Sequence, residues 1–352
     1  MNLLDDLKIL DFTTLLPGPY ATWQLAEMGA KVTKISAPER LDLVLEMEPK
    51  TENGISANRA WMNNKKDEIF LDLKSKEGYD EIIRLIKEEG YNCIIEQFRP
   101  GTMAKFGLSY DEVKEFAPDL IYCSLSGYGQ TGPYKDRAGH DINYLALSGI
   151  MSFSGRKEEG PVLYGTQIGD IASSLNAIIG ILAAHSKRKE NGEGIYIDIG
   201  ILDSLTPLNS MLGAGAMLDN NNPTRQCHWL NGGGIYDFYE TKDGRYLAVG
   251  SVEPKFFKVL LETLGHEDWL DEGVSIESSG EYKEIIKADI KEKTFDQWVE
   301  IFAKEDACVE PVLTVTEALV DSENAKEREQ TAKVAIEDDE ILTYQNPIKF
   351  RK

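Results

Sequence analysis

Cysteine and histidine are both scarce, with four of each in 352 residues. Cys93, Cys123, Cys227 and Cys308 lie far apart and form no CxxC pair, which excludes a disulfide framework. The histidines and cysteines have no metal-ligand spacing, so no metal is expected. Long apolar runs are also missing. None reaches the ~18 residues that span a bilayer, and the acidic, amphipathic Met1–Lys8 segment does not read as a cleavable signal. Basic residues are outnumbered 38 to 60, leaving a formal net charge of −22. A field of that sign argues against nucleic acid and anionic membrane as partners, but not against a small anionic ligand held by a local basic cluster. No GxGxxG or GxxxxGK[ST] follows the first strand. The nearest glycine-rich segment, Ser126–Pro133, opens no helix and reads as a turn, so a nicotinamide-binding fingerprint is unsupported. These absences together predict a cytoplasmic, reduced protein with no permanently bound cofactor.

What is present is core material: 42% hydrophobic, 28% charged and 9% aromatic residues. At roughly 150 residues per domain, the length suggests about two domains. Strand and helix signals alternate through the first 130 residues. Leu7–Phe12 reads as a strand, and Pro17-Gly18-Pro19 breaks the chain before a helix over Tyr20–Met28. Gly29 ends that helix and Lys31–Ile35 is the next strand. The pattern continues with strands at Ile69–Leu73, Cys93–Glu96 and Leu120–Leu125, and helices at Gly78–Glu88 and Ser109–Phe116. Such alternation predicts an α/β fold, a doubly wound and mostly parallel sheet. A long helix over Ile168–Lys189, a buried strand over Ile195–Ile199 and a helix over Leu202–Leu218 follow. Asp219–Pro223 then reads as a linker. Beyond it, Gly234–Glu240 and Arg245–Val249 flank a Thr241–Gly244 turn. Helices are expected over Lys255–Leu264, Tyr282–Lys291 and Phe295–Lys304, then a strand at Val309–Leu313 and an acidic helix over Glu317–Glu329. The domain reading is a large α/β domain over 1–200, a linker helix and linker over 201–225, a small α+β domain over 226–307, and a C-terminal segment over 308–352 returning to the large domain.

Several residues could carry chemistry. His140 follows a loop and opens an apolar helix, where it could act as general acid or base, or simply cap or pack. Asp141 beside it is a natural N-cap. Asp170 sits among small and apolar residues in Thr166–Ser174. Small neighbours admit a substrate and burial would raise its pKa, although a helix N-cap is an equal alternative. Glu253, at a strand-to-helix junction, is explained more simply as an acid favoured by the helix dipole. Asn231-Gly232-Gly233-Gly234 could be a lid, an anion-binding nest or an ordinary loop. Lys65, Lys66, Lys74, Arg99, Lys135 and Arg137 could hold phosphates or be scattered surface charge.

Five segments, in this order and spacing, resemble the family III CoA-transferase superfamily over nearly the whole chain. They are Pro17–Ala21, Leu71–Lys74, Phe98–Gly101, Ser126–Gly132 and Asp306–Leu313. The resemblance implies a Rossmann-like large domain plus a small domain, and an interlocked homodimer. Ala138–Gly149 and Gly250–Phe257 look like the racemase branch. There the residues matching His140 and Asp170 are the two bases, and the one matching Glu253 supports the site. Gly169–Ala172 and Gly232–Gly234 look more like transferases, and Ala37 stands where a racemase has a CoA-contacting arginine. By family position, Leu71, Asp72, Leu73, Lys74, Arg99, Gly139, Asp141, Ile142, Asn143 and Tyr144 would line the CoA site. The resemblance thus implies an acyl-CoA substrate that brings coenzyme A with it. Racemisation of 2-methylacyl-CoA thioesters by two bases is the first reading. CoA transfer through an aspartyl-CoA thioester is the alternative, and acyl-CoA binding without catalysis is a minor one.

Overall fold

Alternating apolar strands and helices fold into a six-stranded sheet in the computed structural model, which describes residues 2–336 and 338–351. The first half of one unit runs β1 (Lys8–Phe12), α1 (Pro17–Glu27), β2 (Lys31–Ser36), α2 (Ala57–Asn63), β3 (Asp67–Phe70), α3 (Lys76–Lys87) and β4 (Cys93–Glu96). It continues with α4 (Thr102–Lys105), α5 (Tyr110–Val113), β5 (Ile121–Ser126), α6 (Asp141–Ser148), α7 (Ile168–Asn191), β6 (Tyr196–Gly200) and α8 (Ile201–Leu205). Strand order is β3-β2-β1-β4-β5-β6, and every neighbouring pair is parallel. The order reverses between β1 and β4, which opens a crevice at their carboxyl ends. Strands β4 and β5 are buried along their whole length, so they show no alternation of buried and exposed residues. One hydrophobic cluster joins Phe12, Ile94 and Tyr122 to Ile82, Leu85 and Ile86 of α3. Helices α1 and α7 pack on each other, α1 also on β1 and β2, and α7 on β5 and β6.

Several local expectations are corrected. Strand β6 is not buried: it is the sheet edge, and Tyr196 is 39% exposed. Ser109 and Glu112 form a reciprocal cap, but only one turn of helix follows. The expected helix over Leu202–Leu218 is split, because Pro207 lacks the N–H that would continue it; a 3₁₀ turn covers Thr206–Asn209. Contrary to the sequence reading, α7 is long and apolar enough to cross a membrane, with 24 residues and a window of mean hydropathy 1.4. In the fold it serves as a core helix, burying Ala177, Ile178 and Ile181.

The second unit comprises residues 149–163 and 209–321; the first takes the remainder. Met1 and Lys352, the outer ends of the expected domain ranges, lie outside the described residues. The second unit contains α9 (Ser210–Asp219), β7 (Asp237–Glu240), β8 (Tyr246–Val249), α10 (Pro254–Leu264), α11 (Asp268–Asp271), α12 (Lys283–Ile290), α13 (Phe295–Phe302) and β9 (Val309–Pro311). The three strands form an antiparallel sheet in chain order, over a core that includes Tyr239, Leu247, Phe257 and Trp298.

Back in the first unit, the chain adds α14 (Glu323–Glu327) and the antiparallel pair β10 (Thr331–Ile336) and β11 (Asp339–Tyr344). The expected acidic helix over Glu317–Glu329 is instead a π-type turn at Glu317–Asp321 and the separate α14, which is capped by Ser322. The β10–β11 pair has no counterpart in the sequence reading. Tyr344 lies edge-on to Trp61 of α2 at 5.0 Å between ring centroids.

Candidate active site

The crevice between β1 and β4 is closed by a direct contact: Gly18 N donates to Gln97 Oε1 at 3.1 Å. Prolines at the first turn of α1 suit a position whose N–H groups have no helical partner. Beneath this turn lies a buried ionic cluster. Lys66 Nζ donates to Thr22 Oγ1 at 2.7 Å and Pro19 O at 3.0 Å, and pairs with Asp11 at 3.4 Å. Lys34 Nζ reaches Thr13 O at 2.7 Å and Asp42 at 3.1 Å. Burial lowers Lys66 to about 8, with Asp11 pulling the other way. Burial works to raise the Asp11 pKa, but Lys66 and Lys34 outweigh it and hold it below its usual value. Lys66 is therefore a fully buried structural cation and does not present itself to a phosphate. Lys65 bonds Glu27 at 2.9 Å.

Asp141 and Asp170 are brought together by the start of α7. Asp141 does not cap its own helix. Its Oδ1 accepts from Gly169 N at 2.6 Å and Asp170 N at 3.2 Å, capping α7 from α6. Gly169 permits this, since a Cβ there would lie 2.9 Å from Asp141 Oδ1 and 2.9 Å from Leu205 Cδ1. Burial, then repulsion by Asp141, pushes Asp170 up to about 7. The helix-start N–H groups that would ordinarily favour its charged form are already taken by Asp141. Ser173 and Ser174 hydroxyls donate to Asp170 O at 2.9 and 2.7 Å, and Ser174 also reaches Pro17 O at 2.6 Å. The turn that carries Asp170 is thereby tied to the start of α1.

His140 immediately precedes α6 and is exposed. Its N–H donates to Asn143 Oδ1 at 3.0 Å, so Asn143 fixes the backbone that presents the imidazole. Tyr144 OH donates to Gly139 O at 2.7 Å. Its phenol is pushed up to about 12 by burial and by Tyr128, Asp170 and Asp141. Only glycine fits beside this ring: a Cβ on Gly127 would lie 2.3 Å from Tyr144 OH, and one on Gly139 would lie 2.7 Å from Tyr144 Cε1. Ile142 is 56% exposed. His140, Asp141, Tyr144 and Asp170 thus occupy two helix starts joined by the Asp141 carboxylate.

A second feature of this unit is a groove of about 650 Å³ lined by Leu73, Lys74, Ser75, Lys76, Tyr79, Thr102, Lys105 and Phe106. Leu71 and Asp72 lead into it from β3, and Asp72 Oδ1 accepts from Lys74 N at 3.0 Å. Arg99 is exposed on the loop entering α4, its carbonyl accepting from Thr102 N at 3.0 Å. Lys76 pairs with Asp80. Lys74 and Lys105 make no ion pair among the described residues. Lys105 and Tyr79 were missed from sequence because they occupy helix faces that only folding aligns with Leu73-Lys74.

Glu253 belongs to the second unit. It is exposed at the N-cap of α10, where its carbonyl accepts from Phe256 and Phe257 at 3.0 and 2.9 Å. The glycines at 232–234 are pinned: Gly232 O accepts from Lys283 Nζ at 2.6 Å, and Gly233 N donates to His228 O at 2.9 Å. A side chain at Gly233 would lie 2.8 Å from the Gln226 and His228 carbonyls. In this structure these glycines serve close backbone approach. Arg156 and Lys283 both pair with Asp237 beside them.

The first unit thus combines a Rossmann-like sheet, a carboxyl raised to about 7 at the start of α7, an exposed histidine just before α6 and, as a separate feature, a groove that includes lysines. Residues 4–352 match the model of CoA-transferase family III, and the chain belongs to that family. It is similar to the alpha-methylacyl-CoA racemase of Homo sapiens, with 34% identity over 92% of this chain and 81% of the relative. It is also similar to the succinyl-CoA:glutarate CoA-transferase of Mus musculus, with 31% identity over 86% of this chain and 70% of the relative. A CAIB/BAIF family protein from Brucella suis has a solved structure that superimposes with a TM-score of 0.85 and 27% identity, covering 99% of this chain and 93% of that one.

Proposed function

We propose that the protein racemises 2-methylacyl-CoA thioesters by exchanging the proton on the carbon next to the thioester. The observation that supports this reading is the Asp141 carboxylate, which joins the start of α7, where Asp170 is pushed up to about 7, to α6, the helix that His140 immediately precedes. Racemisation needs one base to remove the proton and a second, already protonated, to return it on the other face. A carboxyl titrating at about 7 falls in the range where imidazoles also work. The enolate oxygen formed between the two steps calls for preorganised N–H donors, and the first residues of α6, Asp141 and Ile142, supply helix-start N–H groups. Lys74, Lys105 and Arg99 would hold the phosphates of coenzyme A, with Leu71, Asp72 and Leu73 along the same wall. Glu253 is assigned a supporting role on family resemblance.

CoA transfer is the second reading, and the comparable identity to a CoA-transferase favours it. There Asp170 would attack the thioester carbonyl to form a mixed anhydride, then an aspartyl-CoA thioester, and His140 would have no obligatory role. The proposal also includes a cytoplasmic homodimer. Exposed Met211, Met217 and Leu218 on α9 support the dimer, and four free cysteines suit a reducing compartment.

The test is incubation in heavy water with one enantiomer of a 2-methylacyl-CoA and no free acid. Deuterium at the 2-position with loss of optical purity is expected, and the loss of optical purity should disappear in His140→Ala. Near-normal racemisation by His140→Ala would sink the two-base assignment. An Asp170-linked CoA thioester formed from an acyl-CoA donor with release of its acid, and discharged by a free carboxylic acid acceptor, without exchange, would establish transfer.

A further inference from the structure

Glu96 is a buried carboxyl that the reaction above does not use. It ends β4, with 4% of its surface exposed. Glu96, Ser124 and Asp198 form a row across β4, β5 and β6, since the strand registers pair Glu96 with Ser124 and Ser124 with Asp198. The Ser124 hydroxyl hydrogen-bonds the Glu96 carboxylate, and Tyr196 OH reaches Ser124 Oγ at 3.2 Å. Glu96 Oε2 accepts from Phe98 N at 2.8 Å. Phe98 lies between Gln97, which closes the crevice onto Gly18, and Arg99. On the exposed edge strand, Asp198 accepts from Gln130 N at 3.0 and 3.1 Å, holding the glycine-rich turn after β5.

We propose that Glu96 is a positioning residue for the acyl-CoA site, whose ionisation tightens the loop over residues 97–101. This rests on the acyl-CoA reading of the site. A carboxylate accepts an N–H more strongly than a neutral carboxyl does, so the charged form grips Phe98 N–H and with it Gln97 and Arg99. Burial raises Glu96 to about 7; Ser124 and Phe98 pull it down and Asp198 pushes it up. The other ionisable groups facing it are the Tyr122 and Tyr196 phenols and the Cys123 thiol, with Asp203 beside Asp198. The loop therefore tightens as pH rises through neutrality.

The experiment is amide hydrogen exchange of the peptide spanning residues 97–101, on the whole protein at pH 6, pH 8 and steps between them, corrected for intrinsic exchange, with and without coenzyme A. Wild-type exchange should slow about tenfold between the two pH values, as a charge-assisted bond forms, and coenzyme A should slow it further at pH 8. Glu96→Gln, which keeps an acceptor oxygen and stays neutral, should flatten the response to under about twofold. Ser124→Ala removes a bond that favours the carboxylate, so it should keep the response but move its midpoint to higher pH. Equal pH dependence in wild type and Glu96→Gln would overturn the proposal, as would a midpoint unmoved by Ser124→Ala. A pH-responsive loop indifferent to coenzyme A would overturn it too. A CoA-sensitive switch in a protein that shows no deuterium uptake into 2-methylacyl-CoA would sustain the proposal and remove only the racemase reading.

Discussion

At position 170 a carboxyl group is held where its charge is unwelcome. Its folded pKa of about 7 lies above the ordinary 3.8. The folded chain therefore binds the extra proton across that window, and the stability it carries is lost as pH rises through it. Asp170→Asn should consequently be inactive yet more stable than wild type at pH 8. A gain on the order of 4 kcal/mol is expected, about 1.4 kcal/mol for each unit between 3.8 and about 7, shrinking toward pH 4. Urea titrations at the two pH values check this, and equal stabilities at pH 8 would contradict the burial argument. Asp141 raises a complementary expectation. Asp141→Ala leaves Gly169 N and Asp170 N without their cap and should cost about 1–2 kcal/mol. It should also lower the apparent pKa of Asp170 in a pH–rate profile, because the repelling charge is gone and the N–H groups are freed. A profile unchanged from wild type would count against that coupling.

Among the elements, β1, α1 and the buried cluster beneath them set the crevice. Removing one partner from a buried ionic network leaves an uncompensated charge and typically costs 3–5 kcal/mol. Lys66→Met should therefore destabilise by roughly that amount, and thermal melts would report it. A loss no larger than an exposed lysine substitution gives would return Lys66 to the surface. The same elements show what sequence could reveal. Strand-helix alternation located β1, β2, β4 and β5, because each is a short segment rich in apolar and β-branched residues set off by turn residues from a helix. It erred on β6, since an edge strand can carry the same residues with one side open to solvent. His140 and Asp170 were visible as unusual residue types among small neighbours. That Asp141 serves α7 instead of α6 was not visible, because capping across 28 residues depends on tertiary approach. Nor was the burial of Lys66, whose neighbour in sequence, Lys65, is exposed. The β10–β11 pair was missed because its alternation is half-exposed and rich in charge.

For the molecule as a whole, the net charge of −22 means that the global field opposes any anionic ligand, and only a local cluster of basic residues could offset it. The exposed methionines and leucine of α9 suit burial against a second copy. Sedimentation at micromolar concentration should therefore give twice the 39.4 kDa chain mass, and a monomer would contradict the dimer. The division of the chain has a consequence for its synthesis. The first unit is begun first and finished last, because it needs residues 322–352, while the second borrows residues 149–163 from within it. During synthesis the six-stranded sheet can form once residue 200 has emerged, but the first unit waits for residues 322–352 to join it. Neither unit corresponds to a continuous stretch of message, so a fragment cut from either half of the gene would lack a segment of the unit it was meant to contain.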